Sequence, residues 1–121
     1  MPAAKKLNHF KKVLENRIAE AERSVKAVER ERRATSMKHP DTGDEAAAEV
    51  ERQDLTFKVT AARQLVANLT QALKRIRQGT FGECIQCSDE IEPKRLEAIP
   101  WAKYCLKCQE VREQHVREQH S

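Results

Sequence analysis

Aromatic side chains are scarce in this sequence: Phe, Trp and Tyr together make up only 4% of its 121 residues. Charged residues, in contrast, make up 35%. So few large apolar side chains are poor material for a large globular core and are typical of long solvated helices. We therefore expect a mainly α chain that forms one ordinary domain, or one small domain with an extension.

Long apolar runs are also missing. The N-terminal segment MPAAKKLNHF contains no stretch that suits a signal peptide, and no segment of the sequence is apolar enough to span a bilayer. We therefore expect a cytoplasmic protein with reduced thiols and without a membrane partner. In that compartment, paired cysteines favour metal binding over disulfides.

Catalytic motifs are absent as well. The sequence has no recognisable pair of nucleophile and base, no open metal site and no phosphate-binding loop. We therefore predict that the protein is not an enzyme.

Cysteine occurs only four times, and all four residues fall into two pairs. The pairs Cys84-x-x-Cys87 and Cys105-x-x-Cys108 are separated by 17 residues, which is typical of a four-thiolate zinc site. Four thiolates complete a tetrahedral shell, so the metal builds structure and leaves no position for activating water. We predict one structural Zn²⁺ ion with these four ligands. Ser88 stands where many zinc knuckles place glycine, so we expect some backbone strain there.

Two apolar stripes with spacings of three and four predict two long helices, at about residues 5–37 and 44–78. The first stripe consists of Leu7, Phe10, Leu14, Ile18, Ala21, Val25 and Val28, and the second of Leu55, Val59, Ala62, Val66, Leu69, Leu73 and Ile76. A short turn containing Pro40 and Gly43 joins the helices, so they are expected to form an antiparallel coiled coil. Gly79 is expected to end the second helix.

The composition changes after Gly79, and this change predicts two domains. Residues 1–78 are expected to form the coiled-coil hairpin, with its tip at 37–46. Residues 79–121 are expected to form a small four-cysteine zinc-finger module, in which a polar C-terminal helix follows from about Lys107.

The formal net charge of +4 is distributed unevenly. The segment from Lys5 to Lys38 contains eleven Lys and Arg residues but only five Glu residues. The segment from Asp41 to Asp54 contains six acidic residues and one basic residue, Arg52. A basic helix that turns acidic at one spot is not a uniform nucleic-acid surface. The zinc module also lacks a dense cluster of cations among aromatics, so sequence-specific DNA binding is not expected.

Three further motifs accompany the cysteine pairs: GTFGEC at 79–84, RLEA at 95–98, and Pro40-Asp41-x-x-Asp44-x-Ala46 at the predicted turn. Together they extend over nearly the whole chain, which resembles the DksA/TraR family of bacterial RNA polymerase-binding transcription regulators. The resemblance implies a monomer that inserts its coiled-coil tip into the secondary channel of RNA polymerase and modulates initiation. It also implies that Asp41 and Asp44, with Ala46 beside them, contact the polymerase near its catalytic centre.

Local chemistry offers simpler roles for the two aspartates. Asp41 suits a turn after Pro40, and Asp44 suits the positive end of a helix dipole. Two other functions also stay open. A transcript-cleavage factor uses the same channel with acidic residues on a coiled-coil tip, and a zinc-dependent nucleic-acid binder is compatible with the basic first helix.

The chain departs from the family pattern in two respects. Longer members have a segment before the first coiled-coil helix, and we expect its contacts to be absent here. Known members bind the alarmone ppGpp through basic residues, but the matching positions are Ala61, Asn68, Ile99 and Gln109. Because none of these is basic and a polyphosphate needs several cations, ppGpp is a doubtful ligand for this chain.

Overall fold

The computed structural model describes residues 4–38 and 45–120, with the side chains of 6–35 and 45–118. Its helices are α1 (Ala4–Lys38), α2 (Glu45–Gln78), α3 (Pro93–Ala98) and α4 (Leu106–His120). Extended pairing in these ranges is confined to one isolated bridge between Glu83 and Glu90. The prediction of a mainly α fold is confirmed. Within the same ranges, no helix combines the length and low charge needed to cross a bilayer.

The two long helices match their predicted bounds to within a residue or two. Every member of the two predicted apolar stripes is buried or half-buried. The helices run antiparallel, since Thr35 near the end of α1 donates a hydrogen bond of 3.4 Å to Glu51 near the start of α2. Further along, Glu29 of α1 pairs with Arg63 of α2. The predicted antiparallel coiled coil is therefore present.

The end of α2 is set by Gly79. The N–H of Gly79 donates to the carbonyl of Ile76, and the N–H of Thr80 donates to the carbonyl of Arg75. Gly79 has a φ of 78°, a left-handed conformation that glycine adopts without a Cβ clash. These two bonds form a Schellman motif, which satisfies carbonyls that the end of a helix leaves without partners.

The contacts divide the chain into two compact units. The zinc unit contains residues 4–15 and 69–120 of the described chain, and the coil unit contains residues 16–38 and 45–68. The contacts thus group the start of α1 and the end of α2 with the zinc module. The predicted domains, residues 1–78 and 79–121, were defined as segments that fold independently. A grouping by contacts does not test independent folding, so these domains stay a prediction.

The zinc unit has its own apolar core. Phe81 is 2% exposed and packs against Phe10 of α1, with ring centroids 5.1 Å apart. Leu96 of α3 and Ile91 before it are also buried. Helix α3 was not predicted, although Pro93 in its first turn is a typical helix-start signal. Helix α4 was predicted, and it begins at Leu106.

Candidate functional site

The four cysteines come together in the zinc unit, as their spacing predicts. One sulfur from each residue lies within 4.8 Å of all the others. Cys84 and Cys105 are buried, Cys108 is half-buried and Cys87 is exposed. The sulfurs of Cys87 and Cys105 are 3.8 Å apart, which is far longer than a disulfide bond of about 2.05 Å.

The first cysteine pair lies in a tight turn that backbone hydrogen bonds hold closed. The N–H of Ser88 donates to the carbonyl of Cys84 at 2.9 Å, and the N–H of Cys84 donates to the carbonyl of Asp89 at 2.8 Å. Ser88 has a φ of 66°, a left-handed conformation that is unfavourable for a residue with a Cβ. The corner therefore has the left-handed backbone that glycine usually adopts there, and the strain at Ser88 stays a prediction.

The second cysteine pair opens α4 and is held by side chains from around α3. Arg95 donates from Nε to the carbonyl of Tyr104, one residue before Cys105, at 3.1 Å. The Glu92 carboxylate accepts the N–H of Leu106 at 3.3 Å, which satisfies a donor in the first turn of α4. These contacts give Arg95 of the RLEA motif a physical role, since it fixes the backbone that presents Cys105.

The two cysteine pairs are also tied to each other by the backbone. The N–H of Ile85, between the first two cysteines, donates to the carbonyl of Lys103, just before the second pair, at 2.9 Å. The supporting groups from Lys103 and Glu92 were missed in the sequence. No local sequence pattern predicts these two contacts, because their partners are distant in the chain. In addition, every residue has a backbone carbonyl, so the type of residue 103 does not reveal its role.

Hydrogen bonds to sulfur favour a thiolate at Cys84. Burial raises the pKa of this thiol, but backbone N–H groups of Cys105, Cys87 and Gln86 more than offset it and lower the pKa to about 6. At Cys108 the neighbouring sulfur of Cys105, with burial and the other two cysteines, raises the pKa to about 12. Four adjacent thiols therefore cannot all ionise easily unless a cation compensates their charge.

The cluster fits a tetrahedral zinc ion. Zn–S bonds of about 2.3 Å place the sulfurs of a regular tetrahedron about 3.8 Å apart, which matches the distance between Cys87 and Cys105. Soft thiolates select zinc, and a divalent cation removes the repulsion among them. A shell of four thiolates has no open position, so it supports structure and not hydrolysis.

The predicted partner-binding residues are only partly within the described structure. Ala46 lies in the first turn of α2 and is exposed. Asp41 and Asp44 lie outside the described residues, as does the proposed helix cap at Thr42. The structure thus brings the four cysteines together, and the role of the tip stays a prediction.

Comparisons with known proteins agree with this arrangement. Residues 79–114 match the family described as prokaryotic dksA/traR C4-type zinc finger. The chain is 33% identical over 117 residues to "RNA polymerase-binding transcription factor DksA" of Salmonella typhimurium, covering 91% of this chain and 75% of that protein. It is 32% identical over 115 residues to the protein of the same name from Buchnera aphidicola, covering 93% of this chain and 76% of that one.

A solved structure shares the fold. Transcription factor DksA2 from Pseudomonas aeruginosa aligns with a TM-score of 0.83 at 24% identity, covering 94% of this chain and 88% of that chain. The matched zinc finger contains all four clustered cysteines, so the chain carries one structural zinc ion. With a third of its residues shared with DksA over nine tenths of its length, this chain belongs to the DksA/TraR family.

Proposed function

We propose that this protein is a transcription regulator that binds RNA polymerase and inserts its coiled-coil tip into the secondary channel to modulate initiation. The observation that carries the proposal is the 33% identity over 91% of the chain to a protein named as an RNA polymerase-binding transcription factor. The antiparallel α1–α2 pair and the four-cysteine cluster support it, because they are the parts that the family mechanism requires. On this proposal the protein acts in the cytoplasm as a monomer.

The zinc site has a structural role in this proposal. Cys84, Cys87, Cys105 and Cys108 are its ligands, and their closed shell fixes the position of α4 and of the turns around it. The zinc supplies folding free energy when bound and takes no part in a reaction. We therefore infer that the protein is not an enzyme.

The tip residues carry the regulatory contact. Asp41 and Asp44, followed by Ala46 on the exposed first turn of α2, are proposed to lie near the polymerase active centre. A polymerase active centre contains Mg²⁺ and basic residues, to which carboxylates can make charge-assisted hydrogen bonds. The double variant Asp41→Asn with Asp44→Asn is expected to bind core polymerase with unchanged affinity and to lose its effect on promoter-complex lifetime. A double variant that changes the promoter-complex lifetime as much as the wild type does would rule out the regulatory contact.

The binding step is tested by pull-down of core polymerase with the purified protein. We expect capture that a known secondary-channel factor displaces by competition. Capture that resists such a competitor would place the contact elsewhere on the polymerase. Cleavage of the transcript in stalled complexes would instead identify a transcript-cleavage factor, and strongly salt-dependent binding to DNA alone would identify a nucleic-acid binder.

The response to ppGpp is proposed to be weak through this protein's own surface. Ala61, Asn68, Ile99 and Gln109 offer no positive charge to a polyphosphate. Titration of ppGpp into the complex with polymerase is expected to show no ppGpp binding beyond that of polymerase alone. An added site with the affinity known for longer members would overturn this inference.

A further inference from the structure

A cavity of about 350 Å³ lies within the zinc unit, lined by residues of α1, α3 and the turns between α2 and α3. The motifs GTFGEC at 79–84 and RLEA at 95–98 both contribute to it. Its lining includes no cysteine, so it is separate from the cysteine cluster. The buried apolar side chains in the lining are Phe10, Phe81, Ile91 and Leu96. We call this hollow the Phe81 cavity.

The charged side chains of the Phe81 cavity are mostly acidic. Three carboxylates and one ammonium group line it: Glu83, Glu90, Glu97 and Lys6. This excess of negative charge contrasts with the formal net charge of +4 of the whole chain. Glu83 is half-buried, and among the described residues neither Glu83 nor Glu97 has an ion-pair partner. A carboxylate that has lost part of its hydration is stabilised by a cation that reaches it.

We propose that the Phe81 cavity binds a small organic cation with an apolar body, of the class of arylalkyl amines. The apolar body lies against the buried side chains, and the Glu83 carboxylate holds the ammonium group with Glu97 beside it. Pockets of this size, with a mainly apolar lining and a few convergent polar groups, are typical small-molecule sites. The inference is independent of the proposed function, because it concerns the protein without polymerase.

Other classes of ligand fit the Phe81 cavity less well. An anion such as a polyphosphate is repelled by an excess of carboxylates. A divalent metal ion needs several ligand atoms close together, and within the described ranges only the four cysteines form such a group. A neutral apolar ligand leaves the half-buried Glu83 carboxylate without a counter-charge. An organic cation is the class that satisfies both the apolar and the acidic parts of the lining.

The test compares two probes of similar shape by isothermal titration into the zinc-loaded protein. Phenethylamine carries an ammonium group where 2-phenylethanol carries a hydroxyl. Phenethylamine is expected to bind about 10-fold more tightly, because a hydrogen bond between charged groups contributes more than a neutral one. Equal affinities for the two probes would overturn the inference, since the cavity would then not recognise charge.

Variants of the lining charges test which groups hold the probe. Glu83→Gln keeps the shape of the side chain, so it is expected to weaken phenethylamine binding about 10-fold and to leave 2-phenylethanol within about twofold. Lys6→Ala removes the opposing charge and should strengthen phenethylamine binding about two- to threefold, a gain that a merely structural effect does not produce. Glu110→Gln, at an exposed position of α4 outside the lining, is the matched control. Zinc content and circular dichroism verify that each variant is folded.

Amide chemical shifts locate the bound probe. Phenethylamine is expected to move the amide signals of Gly82, Ile91 and Glu97 and to leave those of residues 48–66 unchanged. Shifts confined to other parts of the protein, no binding at millimolar probe, or equal losses from Glu83→Gln and Glu110→Gln would each overturn the inference. None of these outcomes bears on the proposed function, which the pull-down of core polymerase tests separately.

Discussion

The zinc unit and the coil unit bury their side chains to very different extents. Of the buried apolar residues in the described structure, ten belong to the zinc unit, whereas the coil unit has only Ala21, Ala48, Leu55 and Val59. The zinc unit adds the four-cysteine cluster and a pair of aromatic rings to its core. Since local stability follows buried contacts, the coil unit is expected to open more easily.

Both units also expose large apolar side chains. The coil unit exposes Val50 and Phe57, and Ala46 lies on the exposed first turn of α2. The zinc unit exposes Ile85, Leu106, Val111 and Val116. In the zinc unit, the polar backbone around the cysteines is tied up by hydrogen bonds that hold the turns. The two units thus differ in how much apolar surface they bury, and the proposed tip residue Ala46 lies in the unit that buries less.

Removal of zinc is expected to change the relative stability of the zinc unit and the coil unit more than any other treatment. Zinc binding contributes on the order of 10 kcal/mol to the folding of small zinc modules, so a chelator should unfold residues 80–110. Hydrogen exchange should then show full loss of amide protection there, with partial protection retained at 48–66. Restored protection after addition of zinc, but not of magnesium, is the control. Equal loss in both units would mean that they unfold as one.

Truncation of buried leucines compares the two cores directly. Leu69, fully buried in the zinc unit, and Leu55, 2% exposed in the coil unit, should each cost about 2–5 kcal/mol when changed to Ala. Leu69→Ala is expected at the upper end, because a densely packed site collapses less around the cavity. Urea unfolding of the zinc-loaded protein measures both.

A matched control for the leucine variants is Leu106→Ala, at a position that is 50% exposed. It should cost less than about 1 kcal/mol, since most of the side chain is already in water. A loss at Leu55 as small as that at Leu106 would show that the coil unit has no effective core.

The glycine that ends α2 provides a smaller, local effect. Gly79→Ala places a Cβ at a φ of 78° and should destabilise the protein by about 1–2 kcal/mol. The measurement is the urea midpoint, with Gln78→Ala at the preceding exposed helical position as the control. A neutral result at Gly79 would mean that α2 can end without the left-handed turn.

The smallest expected change is a gain at the first zinc turn. Ser88→Gly removes the left-handed strain at a φ of 66°, while glycine adds some unfolded-state entropy. The net stabilisation is expected to be about 0.5 kcal/mol. Ser88→Ala keeps the Cβ and should give no gain. Equal unfolding midpoints for the Gly and Ala variants would show that the corner is not strained.

Much of the fold follows from local signals in the sequence. The seam residues from Leu55 to Ile76 predict α2 because apolar groups at spacings of three and four share one helix face. The C-terminal end of α2 follows from the properties of Gly79, and the cysteine cluster follows from the two C-x-x-C pairs. Local signals failed for α3, whose six residues are too few to show a periodicity.

Longer-range features were not accessible in this way. The contacts from Arg95 to Tyr104 and from Glu92 to Leu106 join residues that are nine and fourteen positions apart. Such pairs depend on how α3 folds back on the turn before α4, and no spacing rule encodes that path. Ser88 was the exception. Glycine is usual at its position in a zinc knuckle, so the sequence alone predicted an unusual backbone conformation there.

The sequence by itself therefore determined the two long helices, their antiparallel pairing and the zinc chemistry, since these depend on helical periodicity, capping and ligand spacing. Only the tertiary structure decided which residues support the cysteines and how the contacts divide the chain into two units. It also decided that Phe57 stays in solvent in a chain with few aromatics. Burial depends on what packs against a side chain, and that is a property of the folded chain as a whole.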